Sequence, residues 1–286
     1  MQRLPFTKMH GLGNSYIYIN AIETDMTGVD LAELAQQISN VNTGIGSDGL
    51  ILIAPSEIAD VKMIMYNKDG SEGKTCGNGL RCVAKYSYEN QLVTSKTFAI
   101  ETKAGLVDAE VSFIEDQVDV VTINMGEPLL NRSQIPMLGK EQEKIVNEPF
   151  QIGDQLLQLT AVSMGNPHAI FFVEDINAAP LYELGPIITN DSRFPEGVNV
   201  EFVEIVNERE MNFRVWERGS GVTQACGTGA CAATVAAILN GYAPKNGAVT
   251  VHLDGGDLEI RLDQHNQVWM TGAAEVTATG TYQLNR

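Results

Sequence analysis

The stretch Lys62–Gly79, KMIMYNKDGSEGKTCGNG, has a counterpart 150 residues later in Asn212–Gly229, NFRVWERGSGVTQACGTG. Both copies begin with a short apolar or alternating run that predicts a strand, continue through a loop containing Gly and Ser, and end in Cys-Gly-x-Gly. Few positions are identical, but the residue types agree along the whole window. We interpret the repeat as two related halves of the chain, each of which presents one cysteine, Cys76 or Cys226.

A segment with helical character follows each Cys-Gly-x-Gly motif. The second, GTGACAATVAAILNG at 227–241, is apolar on all sides and must therefore be buried on all sides. Much of the remaining chain predicts short alternating strands, such as YIYIN, LILIA, DVVTIN, AIFFV and VTVHL. Two helices with polar faces are predicted for 30–40 and for part of 180–189. The expected fold class is mixed α/β, with two pseudo-symmetric domains, each a curved, mostly antiparallel sheet wrapped around a buried central helix.

The composition restricts the possible partners of the chain. Its 286 residues include 19 basic and 36 acidic side chains, which give a formal charge of −17, and 44% of the residues are apolar. The apolar fraction is sufficient for a packed core, and the length predicts about two domains. A net anion is not attracted to nucleic acid or to an anionic membrane, and no apolar run approaches the roughly 18 residues of a membrane span. Because the first residues also lack a signal-peptide core, we expect a cytoplasmic protein whose partners include neither nucleic acid nor a membrane.

The four cysteines are too few for a disulfide framework in a chain of this length. Cys82 and Cys231 lie in apolar helical stretches, which favours buried, inert thiols. The spacings Cys76-x5-Cys82 and Cys226-x4-Cys231 miss the usual zinc spacing or lie at its edge, so no metal is expected. A zinc-binding or redox-sensing module stays open as an alternative that a metal assay distinguishes. Neither a Walker loop nor a G-x-G-x-x-G fingerprint is present, and no cofactor is expected.

Cys76 and Cys226 are the candidate catalytic groups. Glycines let the backbone approach a ligand closely, and the first turn of a helix offers unpaired N–H groups at its positive end, which bind a carboxylate. The same field lowers the pKa of a neighbouring thiol. If the halves face each other, one thiolate removes a proton from a carbon next to a carboxylate, and the other thiol returns a proton to the opposite face. We therefore expect the two sulfurs to lie within a few ångströms of one another, or across a ligand-sized gap.

An ordered set of further motifs accompanies the repeat. They are FTKMHGLGN at 6–14, GIGSDG at 44–49, YNKDGSEGKTCGNGLRC at 66–82, MGNPHA at 164–169, GVNVEFVE at 197–204 and ERGSGVTQACGTGAC at 217–231. With this set the chain resembles the diaminopimelate epimerases, a family of pyridoxal-phosphate-independent amino-acid epimerases. Two positions depart from the family pattern: Ser15 stands where many relatives carry Asp, and Gly49 where some carry a substrate-contacting Gln, so that contact is not carried over.

The resemblance implies interconversion of LL- and meso-diaminopimelate, a step toward lysine and peptidoglycan, by a homodimer without a cofactor. It implies Cys76 and Cys226 as the catalytic bases and His168 and Glu217 as residues that tune them. It also implies that the last strand returns to the first domain, so that the domains are 1–126 with 274–286, carrying Cys76, and 127–273, carrying Cys226. The implied substrate contacts are Asn14, Asn67, Gly77, Asn78, Asn166, Asn199, Glu217, Arg218, Gly227 and Thr228.

Several of these residues also have an ordinary structural interpretation. The four asparagines outside the helices lie in contexts typical of turns, and His168 precedes an apolar run in which a hydrogen-bonded structural histidine is an equal alternative. Glu217 and Arg218 would contribute little as a surface ion pair. The nearest functional alternative is the same chemistry on another amino acid, as in enzymes similar to proline racemase. Those enzymes usually carry His after the first Cys-Gly, where this chain has Asn78.

Overall fold

The computed structural model describes residues 2–284, in which the chain divides into two compact units. One unit runs to Ile123 and resumes at Thr271, and the other is Asn124–Met270. The boundaries expected from the sequence, after residues 126 and 273, lie three residues further along the chain. The mixed α/β class is confirmed. Across the described residues, no helix combines the length and apolar character needed to cross a membrane.

Short strands dominate both parts of the chain. As far as Asn124 the elements are β1 (Gln2–Gly11), β2 (Asn14–Asn20), α1 (Leu31–Ser39), β3 (Gly49–Ala54), β4 (Val61–Asn67), β5 (Glu72–Gly73), α2 (Gly77–Glu89), β6 (Thr97–Thr102), β7 (Gly105–Ile114) and β8 (Gln117–Asn124). The later elements are β9 (Glu148–Ile152), β10 (Gln155–Ser163), β11 (Pro167–Val173), α3 (Leu181–Thr189), β12 (Asn199–Asn207), β13 (Glu210–Glu217), β14 (Gly221–Val222), α4 (Gly227–Leu239), β15 (Ala248–Leu253), β16 (Gly256–Leu262), β17 (Val268–Ala273) and β18 (Glu275–Leu284).

The two units pair their strands in the same order. In the first unit β2 is parallel to β3, β3 is antiparallel to β4, β4 is antiparallel to β5 and parallel to β6, and β6 is antiparallel to β7. In the second unit β11, β12, β13, β14, β15 and β16 repeat this pattern. Parallel neighbours need a long crossover, and helices supply it at matching places: α1 and α3 after the first strand, α2 and α4 after the fourth. The repeat read from two short segments therefore extends over six strands and two helices.

The central helices differ in their surroundings. In α4 every residue from Gly229 to Ala237 is buried, and the helix packs against β10, β11, β12, β15 and β16. Its small side chains allow this enclosure on all sides, as the apolar pattern predicts. Helix α2 packs against β1, β2, β3, β4 and β7 but carries larger, partly exposed side chains in its second half, including Lys85 and Tyr86. At their first turns both helices present the motif cysteines to a polar environment.

Candidate active site

Cys76 and Cys226 are the N-cap residues of α2 and α4. Each has extended backbone angles, with φ −148° and ψ 114° at Cys76 and φ −119° and ψ 101° at Cys226. The Cys76 sulfur accepts a hydrogen bond from Gly79 N–H at 3.4 Å, whereas the Cys226 side chain forms no such cap hydrogen bond. The prediction that these cysteines stand at helix starts is confirmed. Each sulfur thus lies beside the N–H groups of a first helical turn, where a carboxylate would bind.

The other two cysteines lie deeper in the same helices. Cys82 and Cys231 are fully buried, as predicted, and burial raises the pKa of the Cys82 thiol to about 11. A thiol of this kind is unreactive at neutral pH. Among residues 2–284, no cluster of three or more His, Cys, Asp or Glu side chains is arranged to hold a metal ion.

Asn14 is the centre of the polar network around Cys76. The Cys76 thiol donates to Asn14 Oδ1 at 3.4 Å, and Asn78 Nδ2 donates to the same oxygen at 3.4 Å. Asn14 Nδ2 donates to Asp48 Oδ2 at 2.9 Å, and that carboxylate also accepts from Ser15 N–H at 2.8 Å. Three predicted residues of the first unit, Asn14, Cys76 and Asn78, therefore meet at one point. Asn14 begins β2 and contacts Cys76, so its role is not that of a turn residue alone.

Two residues in this network lack a role in the sequence-based site. Asp48 fixes the orientation of the Asn14 amide, because its carboxylate can only accept and so identifies the nitrogen end. The Tyr16 hydroxyl forms hydrogen bonds with the Cys76 and Asn14 side chains. Burial raises the pKa of Tyr16, and the nearby Cys76 and Asp48 raise it further, so this hydroxyl stays protonated. The sequence signal for Asp48 is its place in GIGSDG; Tyr16 has no signal beyond its strand.

Arg81 supports the network from inside α2. Its side chain is fully buried, Nη2 donates to Asn78 Oδ1 at 3.0 Å, and Nε donates to the Ala273 carbonyl at 3.2 Å. Because the guanidinium fork is rigid, it holds the Asn78 amide in one orientation. Asn67, in contrast, is the last residue of β4 and borders a turn, across which Nδ2 donates to Ser71 Oγ at 3.0 Å. Its hydrogen bonds are those of a turn residue.

A chain of hydrogen bonds leads to Cys226 in the second unit. His168 is fully buried, with Nδ1 2.6 Å from Glu201 Oε1 and Nε2 3.1 Å from Asn166 Oδ1. Asn166 Nδ2 donates to Thr228 Oγ1 at 3.2 Å, and that hydroxyl lies 3.6 Å from the Cys226 sulfur. His168 is thus hydrogen-bonded on both nitrogens, and its link to Cys226 passes through two other side chains. The partner carboxylate of His168 was not among the predicted site residues.

The electrostatic environment of Cys226 corrects one expectation. A helix N-terminus alone would lower the pKa of this thiol, whereas burial raises its pKa well above the usual range, and the carboxylates of Glu217 and Glu201 raise it further. Only 4% of Cys226 is exposed, so desolvation outweighs the helix field. Glu217 is held in place by Thr223, whose hydroxyl donates to Glu217 Oε1. The thiol form of Cys226 is therefore favoured.

Asn199 and Arg218 lie together in the second unit. Asn199 is buried at the start of β12, where Nδ2 donates to the Pro167 carbonyl at 3.2 Å and Oδ1 accepts from Arg218 N–H at 2.8 Å. The Arg218 guanidinium donates to the Glu196 carbonyl. No ion pair joins Glu217 to Arg218 among the described residues, so the surface-pair interpretation is wrong. Asn199 positions the backbone from which the Arg218 side chain extends.

Comparison with known proteins identifies the family. The family model described as diaminopimelate epimerase matches residues 6–130 and 160–277. A diaminopimelate epimerase of Geobacillus sp. (strain WCH70) is 60% identical over 282 residues, which cover 99% of each chain. The diaminopimelate epimerase of Bacillus subtilis (strain 168) is 59% identical over 284 residues, which cover 99% of this chain and 100% of the relative.

Solved structures share the fold at low sequence identity. A Bacillus anthracis phenazine biosynthesis protein of the PhzF family is 16% identical with a TM-score of 0.71, covering 99% of this chain and 100% of the other. A probable proline racemase from Agrobacterium radiobacter K84 is 16% identical with a TM-score of 0.71, covering 99% and 93%. These two show the architecture alone, whereas the family model and the close relatives show that the chain belongs to the diaminopimelate epimerase family.

Proposed function

We propose that the chain interconverts LL- and meso-diaminopimelate by a two-cysteine, two-base proton transfer that requires no cofactor. Family membership supports the substrate and the reaction. One observation supports the mechanism: Cys76 and Cys226 cap equivalent helices in two units with the same strand-pairing order. That both sulfurs reach one substrate carbon is part of the proposal.

The proposed reaction inverts one α-carbon. The thiolate of one cysteine takes the α-proton, and the electrons of the C–H bond pass into the neighbouring carboxylate as an enolate-like dianion. The thiol of the other cysteine then gives its proton to the opposite face of the carbon, so one thiol and one thiolate are present before and after. The intermediate is costly because such a carbon is a very weak acid. Helix N–H groups at Gly77, Asn78, Gly227 and Thr228 would stabilise the growing charge, as an oxyanion hole does.

The remaining contacts suit a substrate with two amino-acid ends. Each end carries a carboxylate, which needs donors, and an ammonium group, which needs acceptors, and amide side chains offer both. The Arg218 guanidinium is the group best suited to a bidentate grip on the distal carboxylate. The residues proposed to contact the substrate are Asn14, Asn67, Gly77, Asn78, Asn166, Asn199, Glu217, Arg218, Gly227 and Thr228, with His168 and Glu217 acting on the cysteines.

Incubation with LL-diaminopimelate in deuterated water tests this proposal. We expect meso product that carries deuterium at the inverted carbon, while L-proline stays unchanged in a parallel reaction. Cys76→Ala and Cys226→Ala should each lose turnover. Cys231→Ala, which removes a buried thiol from the same helix as Cys226, should keep it. Conversion of proline in preference to diaminopimelate, or full turnover by either N-cap variant, would contradict the proposal.

The cellular setting is part of the proposal. Meso-diaminopimelate is a precursor of lysine and peptidoglycan. We place the enzyme in the cytoplasm, in keeping with its acidic composition, and as a homodimer, which the family resemblance implies. Light scattering on the purified protein tests the assembly, and a monomer at micromolar concentration would remove the dimer from the proposal. Dialysis against a chelator tests the independence from metal, since activity that is lost and then restored by zinc would contradict it.

A further inference from the structure

Glu201 is a fully buried carboxylate in the third position of β12, and it stands beside Cys226. We propose that Glu201 is a positioning residue for Cys226: its carboxylate, fixed by the contact with His168, keeps Cys226 in the thiol form between turnovers. The inference rests on the proposed function, because it assigns one of the two cysteines of that mechanism as the resting proton donor. With Cys226 held as the thiol, the free enzyme rests mainly in one of the two protonation states that reversible epimerisation uses.

The contacts of Glu201 fix its position. Oε1 lies 2.6 Å from His168 Nδ1, both side chains are fully buried, and Ala169 N–H also donates to the carboxylate. Oε2 is buried and has no hydrogen-bond partner among the described residues. A buried polar pair of this kind contributes little net stability compared with apolar side chains of similar size, and an unpartnered oxygen adds a desolvation cost. Packing alone therefore does not account for a carboxylate at this position.

The carboxylate is close enough to Cys226 to act on its charge. A methyl group placed on Gly229 would lie 3.0 Å from Glu201 Oε1 and 3.1 Å from Cys226 Sγ. The oxygen and the sulfur are therefore within about 6 Å of each other, a range over which a like charge disfavours ionisation. No aqueous layer screens the pair, since Cys226 is only 4% exposed and Glu201 is fully buried.

The groups that face the Cys226 sulfur include some that raise its pKa and some that lower it. Burial opposes the thiolate most strongly, followed by the carboxylates of Glu217 on β13 and Glu201 on β12. On α4, the Thr228 hydroxyl and Gly229 N–H favour the thiolate. His168, on β11, is directed at Glu201 and Asn166 rather than at the sulfur. It holds the carboxylate in position and partly offsets the burial that raises the pKa of Glu201. Together these groups favour the thiol of Cys226. Glu201 supplies part of the effect that disfavours the thiolate, and a substitution can remove that part.

Carbon-13 NMR of the substrate-free full chain, labelled with [3-13C]cysteine, measures this effect without requiring access to the sulfur. The four resonances are followed from pH 6 to 10.5, and the Cys226 signal is identified by its loss in Cys226→Ser. Wild-type Cys226 should be a thiol at pH 8. Glu201→Gln keeps the size and an acceptor for His168 but removes the charge, and should move the Cys226 titration down by about one pH unit or more. Glu204→Gln, on the same strand and hydrogen-bonded to Asn212, should leave it unchanged.

The outcomes separate this inference from the proposed function. Equal titrations of Cys226 in wild type and Glu201→Gln would overturn the inference, even if epimerase activity is established. A titration moved downward supports it even if the substrate proves to be another amino acid. If Glu201→Gln does not fold, Glu201→Asp decides, because its shorter side chain moves the carboxylate away from the sulfur. A Cys226 titration moved downward in this variant supports the role, whereas a titration equal to that of wild type refutes it.

Discussion

Replacing Gly229 by alanine tests how closely the Cys226 site is packed. A methyl group at this position would meet Phe213 Cζ at 2.9 Å, Glu201 Oε1 at 3.0 Å and Cys226 Sγ at 3.1 Å. The Phe213 ring is buried and rigid, with only 1% exposure, so it cannot retreat. The oxygen and the sulfur must therefore move apart, or α4 must shift relative to its strands.

The structure sets the size of the effect. Overpacking a core costs about 1–3 kcal/mol, and alanine regains about 0.5–1 kcal/mol of helix stability over glycine, so the net loss is about 0–2.5 kcal/mol. In a chain of this size such a loss lowers Tm by up to about 10 °C. The effect on turnover should be larger, because a displacement approaching 1 Å in a catalytic group costs on the order of 100-fold in rate. We expect kcat to fall by about 10–100-fold while the protein stays folded.

Gly79→Ala is the matched control in the first unit. There the methyl group would meet the flexible ends of Ile51 and Met63, at 2.8 and 3.1 Å, and would lie at an ordinary 3.5 Å from Cys76 Cβ. Because these ends can turn aside, kcat should stay within about threefold of wild type. The assay is epimerisation of LL-diaminopimelate at saturating substrate, with Tm measured in parallel. Folded Gly229→Ala protein with kcat within threefold of wild type, or equal losses in both variants, would refute the steric reasoning.

Three further predictions concern the proposed distal contact, the two cysteines and Tyr16. Arg218→Lys keeps the charge but loses the planar fork, so kcat/KM for diaminopimelate should fall severely; a near-normal value would remove Arg218 from the distal contact. Mild oxidants should inactivate the enzyme by joining Cys76 to Cys226, with protection by substrate and recovery in dithiothreitol, and peptide mapping that finds a different bridge would contradict this. Tyr16→Phe removes a hydroxyl that is hydrogen-bonded to the Cys76 sulfur. Because a hydrogen bond to a charged group contributes about 1.5–3 kcal/mol, kcat should fall by about tenfold or more with little change in Tm. An unchanged kcat would show that this hydrogen bond has no role in turnover.

The local signals in the sequence predicted the architecture well. Cys-Gly-x-Gly followed by an apolar run placed both cysteines at helix starts, and alternation located the strands, because these features depend on nearest neighbours along the chain. The repeat at an offset of 150 residues extends over the helices as well: Gly77 and Gly227 begin α2 and α4. Asn14 and Thr228 contact a motif cysteine, and Asn78 and Asn166 are hydrogen-bonded to these two residues.

The environment of the sulfurs could not be predicted in the same way. Glu201 lies within EFVEI, where alternation does not reveal that both faces of the strand are buried. Its contact with His168 depends on the parallel pairing of β11 and β12, which joins residues more than thirty positions apart. The field at a helix start favours a lowered thiol pKa, whereas burial and Glu201, which the local pattern does not reveal, raise the pKa of Cys226 together with Glu217. Arg81 shows the converse, because a charged residue, the kind expected at the surface, is fully buried and holds Asn78 through its guanidinium.

The enclosure of α4 has a consequence for how the enzyme responds to heat. A segment exchanges its amide hydrogens by local opening only where part of it can separate from the rest of the fold at small cost. From Gly229 to Ala237 no residue of α4 faces solvent, so its amides can exchange only when the surrounding unit opens as a whole. Helix α4, which carries Cys226, therefore cannot open before that unit unfolds. In the second unit, heat inactivation and unfolding should be a single event.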